Sequence, residues 1–143
     1  MKVRIAIDTN LLIAALTKPS GASARILRAW RNGEIEVVAS EATVREADLV
    51  LGAGWLARLT SRERVDSLLE DLRTRTVWVE PQTRVDDLPL KDPGDRRMLE
   101  AALEGGAQYV VTTDREFLSH RGYGEVEFVT PHRFWRLIGA AER

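Results

Sequence analysis

The sequence predicts an α/β fold in which helices cover both faces of a central parallel sheet. Apolar runs of strand length alternate along the chain with segments of helical periodicity. This alternation is typical of parallel sheets. Glycine and proline mark the ends of these elements, and no repeat or linker-like segment interrupts them. A chain of 143 residues, 44% of them hydrophobic, can bury one core, so we expect a single domain over residues 1–143.

The first strand and the turn after it introduce a pattern that recurs later in the chain. Branched apolar residues occupy every second position from Val3 to Ile7. In the apolar run 11–16, Leu12, Ala15 and Leu16 recur at helical spacing. Asp8, Thr9 and Asn10 stand between the two runs. This turn lies at the carboxyl edge of the sheet, where open α/β folds place their ligands. Asp8 or Thr9 could simply cap the helix, but capping accounts for one polar residue here and not for three.

The remaining elements follow from apolar spacing and from capping residues. A helix with an apolar stripe from Val65 to Leu72 begins at Thr60 or Ser61. Further helices are predicted over residues 23–32, 41–51, 92–103 and 115–119, with a last one from residue 131 onward. Strands are predicted over residues 35–39, 76–79, 108–112 and 126–129, a loop over residues 86–90 and a turn at residues 122–124.

Composition excludes or disfavours several classes of site. The chain has no cysteine, which excludes disulfides, thiolate metal sites and cysteine nucleophiles. Its two histidines, His120 and His132, do not accompany a serine in a recognisable nucleophile turn, so a histidine-based triad is disfavoured. No glycine-rich loop follows the first strand, which disfavours nucleotide binding of the P-loop or dinucleotide type.

The charge and the hydropathy of the chain limit the kinds of partner that it can contact. The net charge is −1, so no overall positive field attracts nucleic acid. Eighteen arginines stand against three lysines. This bias suits bidentate phosphate contacts, but it also occurs on the solvated surfaces of heat-adapted proteins. The chain has no basic-then-apolar leader, and no apolar run approaches the roughly 20 residues of a membrane span. We therefore expect a cytoplasmic location without membrane contact.

Asp114 repeats the arrangement seen at Asp8. A strand of buried type ends in Thr112-Thr113-Asp114, and a short helix follows. If the two strands are neighbours, their ends lie about 5 Å apart. Two carboxylates at that distance raise each other's pKa unless a cation lies between them. The alternative is that Asp114 only caps the short helix.

Glu46 is predicted to face inward from the middle of its helix. Its neighbours one turn away include Leu49 and Val50, which would place it on a mostly apolar face. A buried, unpaired glutamate is costly, so Glu46 should face a partner or a metal. The alternative is a position on a solvated flank of the helix.

Asp92 and Asp95 begin another helix. Aspartate at the N-cap, Pro93 at the first position and aspartate at the third make a good helix start, so one of the two acids could serve only as a cap. The apolar face of this helix should pack on the sheet and direct its N-terminus toward Asp8 and Asp114. Carboxylates with hydroxyl and amide support suit Mg²⁺ or Mn²⁺, and such ions can activate water and stabilise a phosphate during displacement.

These motifs together resemble a PIN-domain ribonuclease. They occur in the order Asp8-Thr9-Asn10, Glu46, Asp92-Pro93-Gly94-Asp95 and Thr112-Thr113-Asp114. The similarity extends through the run 106–112 to residues 130–134, nearly the whole chain. It is greatest to the toxin components of toxin–antitoxin pairs. The resemblance implies a three-layer α/β/α sandwich with a central parallel sheet. It further implies metal-dependent hydrolysis of RNA phosphodiester bonds.

The resemblance also implies roles for individual residues. The implied quartet of acids is Asp8, Glu46, Asp95 and Asp114, which leaves Asp92 as the helix cap. Asp8, Asp95 and Asp114 would hold one or two Mg²⁺ or Mn²⁺ ions. Glu46 would complete the ion shell or orient the attacking water.

Other residues would support these acids or bind substrate. Asn10 and Thr112 would fix the orientation of the carboxylates, and Glu116 is the candidate for a further acid. Among arginines near the starts of the relevant helices, Arg96 and Arg115 are predicted to hold substrate phosphates. Arg97, the third candidate, is more simply explained by solvent exposure.

Alternatives to an active nuclease remain. The chain could be a PIN-like binding protein whose acids are structural and which acts through an antitoxin or other partner. A phosphatase of the haloacid type would need a second aspartate where the chain has Asn10. A homodimer could form through Trp55 and the stripe Leu68-Leu69-Leu72, although that stripe also fits an ordinary core.

Overall fold

Six strands and seven helices are present in the computed structural model, which describes residues 2–141. Residue 1 and residues 142–143, the ends of the predicted domain, lie outside this range. The strands are β1 (Arg4–Ile7), β2 (Glu36–Ala39), β3 (Val77–Trp78), β4 (Tyr109–Val111), β5 (Gly122–Tyr123) and β6 (Val126–Val129). The helices are α1 (Thr9–Thr17), α2 (Ala22–Arg31), α3 (Glu41–Leu51), α4 (Arg62–Thr74), α5 (Pro93–Glu104), α6 (Arg115–Ser119) and α7 (Pro131–Ala141).

The strands form one sheet in the order β3-β2-β1-β4-β6-β5. The first five strands of this order pair in parallel, which confirms the predicted parallel sheet. β5 pairs antiparallel with β6 at the edge, where the sequence predicted only a turn. A strand of two residues is too short to show an alternating pattern, and its flanks Arg121 and Gly124 have positive φ angles of 65° and 59°.

Two apolar cores lie on opposite faces of the sheet and give three layers. Alternate strand residues divide between them: Ile5 and Val111 face one core, whereas Ala6 and Val110 face the other. Helices α1, α2, α3, α4 and α7 contribute to the first core. Helices α5 and α6, with apolar residues from the segment before α5, contribute to the second. The three-layer α/β/α sandwich is therefore confirmed.

The structure decides two alternatives that the sequence left open. Ser61, not Thr60, caps α4, because its side chain accepts a hydrogen bond from the Arg64 amide. The stripe Leu68-Leu69-Leu72 is fully buried in the first core, so it is ordinary core and not a dimer surface. Trp55 remains half-exposed in a short 3-10 helix, Gly54–Arg58, that the sequence did not predict. Among residues 2–141, no helix has the length and apolarity needed to cross a membrane.

The register of the sheet sets the position of the candidate site. β1 and β4 are neighbours, with Ile7 opposite Val111. The residues that follow, Asp8 and Thr112, therefore leave the sheet side by side at its carboxyl edge. Asp114 follows two residues later.

Candidate active site

Four elements bring their acids to one pocket at the carboxyl edge of the sheet. Asp8 follows β1, Asp114 follows β4, Glu46 lies in α3, and Asp95 lies in the first turn of α5. All four line a pocket of about 180 Å³. The pocket wall also includes Asn10, Thr43, Asp92 and Gly94.

Asp8 both caps α1 and belongs to the pocket. One carboxylate oxygen, Oδ1, accepts a hydrogen bond from the Leu11 amide at 2.8 Å. The other, Oδ2, accepts from the Thr112 hydroxyl. The residue is only 8% exposed. The capping and site interpretations of Asp8 are thus compatible, because each uses a different oxygen of the same carboxylate.

Thr112 links the two strand ends that carry Asp8 and Asp114. It is fully buried, and its Oγ1 accepts a hydrogen bond from the Asp114 amide at 3.0 Å while its hydroxyl donates to Asp8. Asp114 in turn caps α6, since its Oδ1 accepts from the Glu116 amide at 2.9 Å. Capping and membership of the pocket again occur together.

The two acids at the start of α5 have different surroundings. Asp92 is the N-cap and accepts a hydrogen bond from the Gly94 amide at 2.8 Å. Asp95 lies in the first turn, half-buried. The cap assigned to Asp92 is present, although Asp92 also lines the pocket.

Glu46 reaches the pocket from the flank of α3 that faces α5. Its carboxylate packs against the α-carbon of Gly94, where a Cβ would lie only 2.7 Å from Glu46 Cδ. The expectation that Leu49 shares an inward face with Glu46 is wrong, because Leu49 is 75% exposed. The inward face of α3 consists of Val44, Ala47 and Leu51. Glu46 is offset from that face and is half-buried.

Burial and mutual repulsion raise the pKa values of three of these acids. Burial is the largest cause that raises the pKa of Asp95 from 3.8 to about 7. The charges that add to this rise belong to the other acids of the pocket: Asp92, Asp114, Asp8 and Glu46.

The same two effects act on Glu46 and Asp8. Burial raises the pKa of Glu46, and the charges of Asp92 and Asp8 add to the effect. Burial also raises the pKa of Asp8, although the hydrogen bonds from Thr112 and Leu11 oppose this rise. The acids therefore form one coupled electrostatic unit that resists full ionisation without a cation.

The carboxylates of the pocket are chemically suited to bind a divalent cation. Carboxylate oxygens are hard ligands suited to Mg²⁺ or Mn²⁺. A cation would offset the repulsion that, after burial, adds to the rise in the pKa of Asp95. The side chains do not form a closed ligand set as they stand. Within residues 2–141, no three histidine, aspartate or glutamate side chains are arranged to coordinate a single ion.

Comparison with known protein families shows which family this chain is similar to. A family model described as PIN domain matches residues 4–116, a span that contains all four acids and Thr112. The chain belongs to the PIN-domain family. PIN domains are generally nucleases and typically use divalent metal ions. A search of curated proteins finds no match to this chain.

The other polar residues predicted for the site of this PIN domain differ in whether they line the pocket. Asn10 is exposed and lines the pocket. Glu116 does not line it, and its Oε2 lies 3.8 Å from Lys91 Nζ. Arg115, directly after Asp114, is exposed at the start of α6.

Arg96 and Arg97 contact the protein itself. The Arg96 guanidinium donates to the backbone carbonyls of Val85 and Leu90, so it is directed toward the chain and not toward the solvent. Arg97 pairs with Glu100, its Nη1 lying 2.9 Å from Glu100 Oε1. Arg97 is exposed, as expected, and it also forms this ion pair.

Glu100 is the notable residue of the PIN domain that the sequence did not reveal. It is 2% exposed and accepts a hydrogen bond from the Val85 amide at 2.9 Å. The available signal was its position between Leu99 and Ala101 in an apolar stretch, three residues after Arg97. Such spacing is common on solvated helices, so it does not by itself indicate burial.

Proposed function

We propose that this PIN domain is a metal-dependent endoribonuclease that hydrolyses phosphodiester bonds of RNA, and that it is the toxin of a toxin–antitoxin pair. The observation that carries the proposal is the coupling of the four acids. Asp8, Glu46, Asp95 and Asp114 line one pocket, and the other three all contribute to the raised pKa of Asp95.

In this proposal Asp8, Asp95 and Asp114 would hold one or two Mg²⁺ or Mn²⁺ ions. A bound ion of this kind would stabilise the charge that develops on the phosphate. Thr112 binds one carboxylate oxygen of Asp8 and the backbone amide of Asp114, so it fixes these two acidic residues relative to each other. Asn10, at the pocket wall, would support the same acids.

Glu46 would orient the attacking water and accept its proton, or complete the ion shell. Its raised pKa supports the role of proton acceptor, because a carboxylate with a pKa nearer neutrality is a better general base. Arg115 would hold a substrate phosphate, since it is exposed and directly follows Asp114. Arg115 can approach a phosphate with two donors at once.

Cleavage of RNA by purified protein with Mn²⁺ tests the proposal. Asp8→Asn should lower the rate at least about 100-fold. Asparagine retains an oxygen for the Leu11 amide, so α1 should stay capped. Asp66→Asn, on the exposed face of α4, is the matched control and should cut at the wild-type rate. Equal cleavage by Asp8→Asn would indicate a contaminating nuclease or a different site.

The toxin role and its partners need a separate test. Expression of the wild-type chain should arrest growth through damage to cytoplasmic RNA, and expression of Asp8→Asn should not. A protein encoded beside this chain that binds it and restores growth would be the antitoxin. Measurement of mass in solution would decide whether the chain forms a homodimer, for which only Trp55 of the predicted surface remains exposed.

A binding protein without nuclease activity is the second candidate. It is favoured by the absence, within residues 2–141, of three acidic or histidine side chains arranged around one ion. Calorimetry with Mn²⁺ separates the two functions. No binding at millimolar Mn²⁺ would favour the binding protein, whereas binding that Asp8→Asn removes would favour the nuclease.

A further inference from the structure

Residues 80–91, here termed the strap, lie along α5 before the chain enters the pocket at Asp92. Val85 is fully buried in the second core, and Leu90 is buried there as well. At the far end of α5, Glu104 Oε1 accepts hydrogen bonds from the amides of Gln82 and Thr83 at 3.2 and 2.8 Å. The strap is therefore fixed to the helix that it precedes.

Arg96 and Glu100 hold the middle of the strap. Glu100 Oε2 accepts from the Val85 amide, and Arg96 Nη1 donates to the Val85 carbonyl. Both backbone groups of one strap residue are thus bound by side chains of α5. Arg96 Nη2 also donates to the Leu90 carbonyl at 3.2 Å.

The second Arg96 contact lies beside the pocket. Leu90 is two residues before Asp92, the cap of α5, and Arg96 directly follows Asp95. The hydrogen bond from the Arg96 guanidinium to the Leu90 carbonyl therefore closes a ring that contains the turn Lys91–Asp95. Inside this ring, the Gly94 amide donates to Asp92 Oδ1, and the Asp95 amide donates to the Asp92 carbonyl at 3.1 Å.

We propose that Arg96 is a positioning residue that fixes the turn Lys91–Asp95 and thereby the Asp95 carboxylate. The inference rests on the proposed nuclease function, and it replaces phosphate binding as the role of Arg96. The planar guanidinium carries donors on two separate nitrogens, and Nη1 and Nη2 reach the Val85 and Leu90 carbonyls at once. A lysine carries its donors on one nitrogen, so it would retain the positive charge and weaken at least one of the two contacts.

The test compares Arg96→Ala and Arg96→Lys with Arg45→Ala. Arg45 is the control because it adjoins another pocket acid, Glu46, and within residues 2–141 its side chain forms only an exposed pair with Glu41. Amide hydrogen exchange at Gly94, measured without metal, reports on the turn. The Mn²⁺ dissociation constant and the separate values of kcat and KM on RNA report on the site.

We expect Arg96→Ala to accelerate exchange at Gly94 and to leave exchange in α2 unchanged. Mn²⁺ binding should weaken about 10–100-fold, as is typical when a residue that supports a metal ligand is removed. For RNA, kcat should fall while KM stays near the wild-type value. Arg96→Lys should fold and show smaller changes of the same kind in Gly94 exchange, Mn²⁺ affinity and kcat. It therefore tests the role of Arg96 even if Arg96→Ala does not fold. Arg45→Ala should match the wild type.

Two results would overturn the inference. The first is wild-type Gly94 exchange, or wild-type Mn²⁺ affinity, in a folded Arg96 variant. The second is a raised KM with unchanged kcat, which would return Arg96 to a phosphate contact. Failure of the wild-type chain to bind Mn²⁺ or cut RNA would instead contradict the proposed function. In that case, the exchange at Gly94 still decides whether Arg96 fixes the turn.

Discussion

The Thr112 hydroxyl donates a hydrogen bond to Asp8 Oδ2, and this bond joins the ends of two neighbouring strands. Thr112 is fully buried, so no water can replace its hydroxyl without rearrangement. We expect Thr112→Val, which keeps the shape of the side chain, to lower stability by about 1–3 kcal/mol. RNA cleavage should fall about 10–100-fold. Chemical denaturation and initial rates measure the two effects.

Thr112→Val should also move the acid limb of the pH–rate profile to higher pH. The hydrogen bond from Thr112 opposes the rise in the pKa of Asp8, so its loss raises that pKa further. Thr113→Val, one residue later and exposed, is the matched control and should keep the wild-type profile. An acid limb that stays in place in Thr112→Val would contradict this electrostatic role.

Asp95 should make the stability of the metal-free protein depend on pH. Because burial and neighbouring acids raise its pKa from 3.8 to about 7, the folded protein binds this proton more tightly than the unfolded chain does. The stabilisation is complete below pH 3.8 and is lost as the pH rises to about 7. Asp95→Asn should therefore be more stable than the wild type at about pH 8. We expect a gain of about 1 kcal/mol, because water screens a half-exposed group.

Denaturation of the metal-free protein between about pH 5 and pH 8 measures this effect. The free energy of unfolding should fall with pH in the wild type and in the exposed control Asp66→Asn. It should change less in Asp95→Asn. An equal slope in Asp95→Asn would show that repulsion among the pocket acids does not act through Asp95.

Divalent metal should reverse this destabilisation. The carboxylates must lose their protons to bind an ion, so Mn²⁺ should raise the melting temperature more at about pH 8 than at about pH 5. An ion present at about 100 times its dissociation constant contributes about 2.7 kcal/mol. Thermal scans with Mn²⁺ or with a chelator measure the shift in melting temperature. Asp66→Asn should show the same shift as the wild type, whereas Asp114→Asn should show none. A shift of equal size at both pH values would point to binding outside the pocket.

The sequence predicts the positions of the acids at strand ends better than it predicts the positions of the other residues around the pocket. Asp8 and Asp114 follow apolar runs, so their shared edge follows from the parallel order of the strands alone. Periodicity predicts that Glu46 shares a face with Leu49, but Leu49 is exposed. Periodicity locates a face only to within part of a turn, and Glu46 lies at the flank.

The sequence predicts the loop at residues 86–90 within the strap, but it does not predict the contacts of the strap. Residues 80–91 have no regular periodicity, and Arg96 and Glu100 hold them through bonds to backbone groups. Backbone groups are the same for every residue type, so such bonds leave no pattern in the sequence. Arg96 was therefore predicted to bind phosphate from its proximity to the site edge alone.

Gly94 should be required for activity because the Glu46 carboxylate packs against its α-carbon. A Cβ at Gly94 would lie 2.7 Å from Glu46 Cδ, so Glu46 must move away when alanine is present. Alanine itself suits the first turn of a helix. We therefore expect Gly94→Ala to change stability by less than about 1 kcal/mol and to lower kcat about 10–100-fold. Gly139→Ala in α7 is the control, since among residues 2–141 nothing beyond its chain neighbours and its own helix backbone lies within 4 Å of the added Cβ. Because the effect acts through Glu46, Gly94→Ala should lower kcat much less in a Glu46→Gly background, where the clashing carboxylate is absent. An equal loss in that background would mean that Gly94 acts on the turn of α5 and not on Glu46.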